Sequence, residues 1–108
     1  MIFAEFYGTD ALYSGLRTTI EGRVAAVLHA RPEDVVLRRA LIESPYAGTE
    51  IWVELSSEEQ LAQHGRDIAQ QITEAVREES EDDVWVLFRI VPLSHVFLNG
   101  EPRRRGAA

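Results

Sequence analysis

The sequence contains no cysteine and no lysine. The first absence excludes disulfides, thiolate nucleophiles and thiolate metal sites, and it agrees with a cytoplasmic location. The second excludes Schiff-base chemistry on a side-chain amine, which leaves the α-amine at Met1 as the amine nucleophile or base. No apolar run approaches the ~18 residues of a membrane span, and the first residues carry no basic segment, so neither a membrane helix nor a signal peptide is expected. There is no Gly-rich phosphate loop, no nucleophile elbow and no H-x-x-x-H pair. A bound cofactor or metal is therefore not expected. Positive charge is scarce: 11 basic residues face 18 acidic ones, a net charge of -7, which argues against a nucleic-acid partner. The exception is "PRRRG", read as part of a flexible basic tail over 102–108.

What is present is a regular alternation of strand and helix signals. With 45% hydrophobic residues in 108, the chain suits one packed domain. "IFAEFY" alternates as a half-buried strand, with Ile2, Ala4 and Phe6 on one face and Phe3, Glu5 and Tyr7 on the other. Thr9 is placed to cap a helix whose apolar stripe is Leu16, Ile20, Val24, Val27 and Leu28. "ARPED" ends that helix, "VVLRRALIE" reads as a second strand, and "SPYAGT" as a turn. The order then repeats. "IWVELS" is a strand with Trp52 and Glu54 on its second face. "SSEEQ" opens a helix with capping-box spacing, and Leu61, Ile68, Ile72, Ala75 and Val76 form its stripe. "EESEDD" ends the helix, as a solvated run rather than a metal site, and "VWVLFRIVP" is the last long strand.

The halves align at a nearly constant offset. Phe3 matches Trp52, Glu5 matches Glu54, Val35 matches Val84 and Arg89 falls against Ala40. Each strand–helix–strand unit implies a parallel pair joined by a right-handed crossover. The expected fold is α/β: two tandem β-α-β units, 1–50 and 51–101, forming a four-stranded sheet with two helices on one face. The other face would carry Phe3, Trp52, Trp85 and Leu87 beside Glu5, Glu54 and Arg89, so burial by another subunit is expected, with the charges paired inside the interface.

This organisation, with "DVWVLFRIVPLSHVFLNGE" as a strand followed by a hairpin and "IWVELSSEEQLAQHGRDIAQQITEAV" as strand and helix, resembles the tautomerase superfamily of 4-oxalocrotonate tautomerase, in its fused two-unit form. The resemblance covers residues 1–101. It implies a trimer, with hetero-oligomers as an alternative, and an isomerase that moves a proton on a small keto/enol acid. It also implies a catalytic amino-terminal proline and arginines that hold the substrate carboxylate. The proline is absent: residue 2 is Ile2, which should also protect Met1 from removal. The family's loop arginine falls near Ala11, its strand arginine at Val36 and Trp85, and its hairpin aromatic at Val96, with Phe97 adjacent.

The candidate catalytic groups are thus the Met1 α-amine and His95. The candidate ligand contacts are Arg38, Arg39, Tyr7, Tyr46 and Phe97, the two tyrosines as lining near the amino end. The bland readings are an ordinary terminus for Met1 and interface ion pairs to Glu5 or Glu54 for the arginines. His29 is accounted for by its helix end and His64 by the helix surface. Two other functions stay open: a homologue that binds a ligand or serves structurally without catalysis, and a ferredoxin-like dimeric α/β-barrel monooxygenase, whose sheet would be antiparallel.

Overall fold

In the computed structural model, which describes residues 1–41 and 48–102, the long strands and helices stand where hydrophobic periodicity puts them. The order is β1 (Ile2–Tyr7), α1 (Asp10–Val27), β2 (Val35–Arg39), β3 (Thr49–Leu55), α2 (Glu58–Arg77) and β4 (Val84–Ile90). A 3-10 turn at Leu93–His95 then leads into a small hairpin of β5 (Phe97–Leu98) and β6 (Glu101–Pro102). Pro102, the expected start of the tail, is thus the last residue of β6. Tyr46 and the end of the second strand signal at Ile42 and Glu43 lie outside the described residues, as do residues 103–108 of the basic tail.

Capping follows the sequence closely. Thr9 Oγ1 accepts from the Leu12 N–H at 3.2 Å, and Ser57 Oγ accepts from the Gln60 N–H at 3.0 Å. Gln60 reaches back to the N–H of Ser56, one residue beyond the cap. α1 ends in a two-bond C-terminal motif, with His29 N–H donating to Ala26 O and Ala30 N–H to Ala25 O. The residue in the left-handed conformation there is His29, at φ 55, a place that usually takes glycine.

The sheet order is β2-β1-β3-β4. β1 and β2 are parallel, β3 and β4 are parallel, and β1 meets β3 antiparallel. Two crossover units are therefore joined at their first strands. This excludes the all-antiparallel ferredoxin-like arrangement. Both helices pack into one core with Ala4, Phe6, Leu37, Ile51, Val53 and Leu55 from the strands and Leu16, Ile20, Val24, Ile68, Ile72 and Val76 from the helices. Gly48, at φ +104, lets the chain pass against the backbone of Asp83, where any Cβ would collide.

The units are not superimposable by one offset. Ile2 pairs with Val35, but Ile51 pairs with Val86. Relative to β1 and β3, β4 is therefore two residues further along than β2. α2, with 20 residues against 18 in α1, carries part of this difference. A two-residue shift preserves which face each side chain occupies. It makes Arg89, which faces Glu54, the counterpart of Arg38, which faces Glu5. The alignment of Arg89 with Ala40 is corrected accordingly.

Among the described residues, no helix is long and apolar enough to cross a membrane, and no cluster of three or more His, Asp or Glu side chains could hold a metal.

Replacing His29 with glycine relieves a left-handed conformation that costs an L-residue roughly 1–2 kcal/mol, partly offset by glycine's larger unfolded-state entropy. The expected outcome for His29→Gly is a gain of about 0.5–1 kcal/mol, read as a higher midpoint in urea unfolding at unchanged slope.

Candidate functional site

The helix-free face of the sheet gathers the polar and aromatic side chains that alternation removes from the core. Pairing places them on a grid. Arg38, Glu5, Trp52 and Leu87 lie across one row, and Tyr7, Glu50 and Trp85 across the next. Continuing the β1–β3 register by one residue sets Phe3 beside Glu54, with Val36 and Arg89 outside them.

Two matching stacks stand on this grid. The Arg38 guanidinium carbon lies 4.9 Å from the centre of the Phe3 ring, and that of Arg89 lies 4.4 Å from Trp52. Both are within the range of a cation–π contact. Their polar partners differ. Arg89 Nη1 donates to Glu5 Oε1 at 2.6 Å, crossing the ring of Trp52 to do so. Tyr7 Oη donates to the other carboxylate oxygen of Glu5 at 3.2 Å. The hydrogen bond to Glu5 is the main reason the Arg89 guanidinium is held above its ordinary pKa, against the opposing effect of burial. Trp52 Nε1 donates to the carboxylate of Glu50, which is only 3% exposed. By contrast, Arg38 is exposed. Among the described residues neither Arg38 nor Glu54 forms an ion pair, although both flank Phe3 as Arg89 and Glu5 flank Trp52.

The sequence candidates are thus distributed unevenly. Met1 sits at the start of β1, 69% exposed, one step along the same face from Phe3 and the guanidinium of Arg38 above it. Nearby, Asp34 at the start of β2 is held below the usual carboxylate range. The main cause is its hydrogen bond from the Arg31 side chain, and the α-ammonium of Met1 contributes last. Arg39 points to the helix side at the opposite end of β2. There it donates to Gly8 O at 3.3–3.4 Å and lies 3.8 Å from Asp10. It does not converge with Met1. Tyr7 is also at the far end of β1, about 20 Å along the strand from Met1. It is buried in the Glu5–Arg89 network rather than lining the amino end. His95 and Phe97 lie on the arm after β4, both exposed. That arm makes its main contacts within itself. It turns at Asn99-Gly100, both at positive φ as a tight two-residue hairpin requires. Leu93, Phe97 and Leu98 are left uncovered on it. The sequence marks Trp52 as a residue of the second face and Glu54 as an ion-pair candidate there, and register supplies their place.

Two clefts lie elsewhere among the described residues. One of about 560 Å³ lies between the helices at Thr18, Gly22, Arg23 and Gln71, and one of about 400 Å³ lies at Gly8, Thr9, Thr49 and Asp82. Neither includes Met1, Arg38 or His95.

The chain has the tautomerase-like fold. A protein of unknown function from Vibrio cholerae superposes with a TM-score of 0.80 at 17% identity, covering 94% of this chain and 87% of that one. A fused 4-OT described as an asymmetric trimer gives 0.70 at 16% identity, covering 93% and 94%. A macrophage migration inhibitory factor-like protein from Entamoeba histolytica gives 0.72 at 5% identity, covering 94% and 96%. No family model matches the chain, and no curated protein matches it in sequence. In this tautomerase-like chain the strand opening the fold begins with Ile2, which packs against the core and pairs with Val35.

Removing the Glu5 carboxylate strands Arg89 over Trp52 and frees the Tyr7 hydroxyl. A charge-assisted bond between partly exposed groups contributes about 1 kcal/mol after solvent screening. Glu5→Ala and Arg89→Ala are each expected to lower stability by about that much in denaturant titration. In the double variant the losses should be less than additive, because the two residues share one bond.

Proposed function

We propose that this chain is an oligomer-forming member of the tautomerase superfamily that binds a small keto/enol carboxylate at the Met1 end of β1 and shifts a proton between two atoms of it. The observation that carries the reading is Arg38. Its guanidinium is exposed, braced on Phe3 and without a carboxylate partner among the described residues. A planar fork of donors in that state suits bidentate capture of a carboxylate.

The chemistry is an isomerisation. A base takes the proton from the carbon next to a carbonyl, the electron pair is held as an enolate, and the proton returns at a different atom. The Met1 α-amine is the base in this reading, and His95 is the alternative carrier. An α-amine and an imidazole can each take up and return a proton, as the role requires. Arg38 holds the substrate and offsets the charge that develops on it.

Exposed apolar groups support the oligomer. Trp85 is 46% exposed on the helix-free face, and Phe97 and Leu98 are 60% and 54% exposed on the arm. Apolar groups of this size are commonly covered by a partner. We assign that cover to sister chains, as a homotrimer, the assembly state described for the fused 4-OT. The ligand site would then be completed at the junction of two chains, where Phe97 of the arm can supply a wall.

A second reading is favoured by one position. Ile2, where the superfamily carries its catalytic proline, is a packed strand residue here. A chain that kept the fold and the Arg38 anchor would then bind the acid without turning it over.

Ketonisation of the enol of phenylpyruvate, followed by ultraviolet absorbance, separates the two. Activity in the wild-type protein, with KM raised about tenfold or more in Arg38→Ala by loss of a charge-assisted pair, supports the enzyme. Silence in the wild type with activity gained in Ile2→Pro, on a chain whose intact mass shows the proline at its start, supports the binding homologue. Activity that Arg38→Ala leaves unchanged removes Arg38 from the site.

A further inference from the structure

The two halves of the sheet carry the same constellation in different states. In one, an arginine on an edge strand reaches over an aromatic ring on the neighbouring strand to a glutamate on the strand beyond: Arg89, Trp52, Glu5. Its counterpart is Arg38 over Phe3, with Glu54 beyond. The first is closed by a 2.6 Å ion pair, and Tyr7 occupies the second oxygen of its carboxylate. Among the described residues the second is not closed. Glu5 faces Arg38 in the β1–β2 register, yet its carboxylate bonds to Arg89 and Tyr7 and forms no ion pair with Arg38.

An open guanidinium and an open carboxylate on either side of one ring are complementary to a ligand that carries both an acceptor and a donor. The backbones that bear them are two strand spacings apart, about 9–10 Å, and both side chains can lean over Phe3 between them. We infer that Arg38, Phe3 and Glu54 form one ligand site, in which Arg38, braced on the Phe3 ring, holds the carboxylate of a small acid and Glu54 accepts the O–H of a hydroxyl or enol on the adjacent carbon. The inference rests on the reading of Arg38 as a carboxylate anchor. It adds a specificity residue: Glu54, which favours an acid that carries a hydroxyl or enol beside the carboxylate over one that does not. It also assigns one site per chain, because Glu5 fills the equivalent place at Arg89 and Trp52. An ionised carboxylate has no proton to offer, so Glu54 rewards a ligand that brings one and disfavours a second negative charge.

Isothermal titration of the oligomer with 3-phenyllactate and with 3-phenylpropionate, which lacks only the hydroxyl, tests this directly. The expected result is one site per chain, with phenyllactate bound about tenfold or more tightly, as for a hydrogen bond to a charged acceptor. Glu54→Gln should remove most of that preference and leave phenylpropionate unchanged or slightly tighter. Arg38→Ala should weaken both acids. Sedimentation of each variant confirms that assembly is intact. If both acids bind through Arg38 but Glu54→Gln leaves the preference in place, the role of Glu54 is overturned while the carboxylate-anchor reading stands. If neither acid binds, or Arg38→Ala weakens neither, that reading fails and takes this one with it. Two acids per chain would overturn the closure of the Arg89 half. Loss of assembly in both Arg38→Ala and Glu54→Gln, without an effect on the acid preference, would make the two residues an ion pair between chains instead.

Discussion

The antiparallel pairing of β1 with β3 is what turns two β-α-β units into one domain. Each β-α-β unit alone is a parallel pair with one helix and an apolar strip of sheet that nothing covers. Joining the first strands side by side brings both helices to the same face, where α1 and α2 pack on each other and on Phe6, Ile51 and Val53. The same join leaves the opposite face without a layer. Domains are commonly built from at least two packed layers, and here the second layer is present on one side only. The aromatic rings and charges of that face therefore stand where the chain's own helices do not reach.

That face manages its charges within the protomer in one half and not in the other. Arg89 and Glu5 satisfy each other across Trp52, and Trp52 in turn satisfies the buried Glu50. This network is tied to the interior of β1 and β3 and contributes to holding the central pair in register. Arg38 is stacked but unneutralised. The contrast leaves the two halves of a repeated architecture in different states, one closed by an ion pair and one with an exposed, stacked guanidinium. A repeated fold can diverge in this way without altering its core, because the core residues Ala4, Phe6, Ile51 and Val53 all lie on the other side of the same strands.

Much of the fold is legible in the sequence because it is written in periods and caps. The alternation in "IFAEFY" and "IWVELS" assigns the correct face to every residue from Ile2 to Phe6 and from Ile51 to Leu55. Thr9 and Ser57 mark helix starts that the structure confirms by hydrogen bonds. The repeat points to two parallel pairs. The register of the second strands is not legible. A slip of two residues leaves every side chain on its face, so no periodicity argument detects it. The consequence is specific: sequence alignment sets Arg89 against Ala40 and hides its equivalence to Arg38. For the same reason periodicity offers Glu5 as a partner for Arg38 but does not say that Glu5 takes an arginine two strands away. Residue type alone suggests Tyr7 and Arg39 as ligand contacts beside Met1. Strand length carries them to the other end, where they serve Glu5 and Gly8. Phe97 and His95 fall on the arm after β4 as the hairpin signal indicates, but the apolar exposure of that arm is a tertiary property that its short sequence does not encode alone.

If sister chains cover the helix-free face, as proposed, sedimentation equilibrium of the protein at micromolar concentration should show a single species of three times the 12.2 kDa chain mass. A species at the chain mass across that concentration range, with tryptophan emission typical of a water-exposed indole, would contradict it.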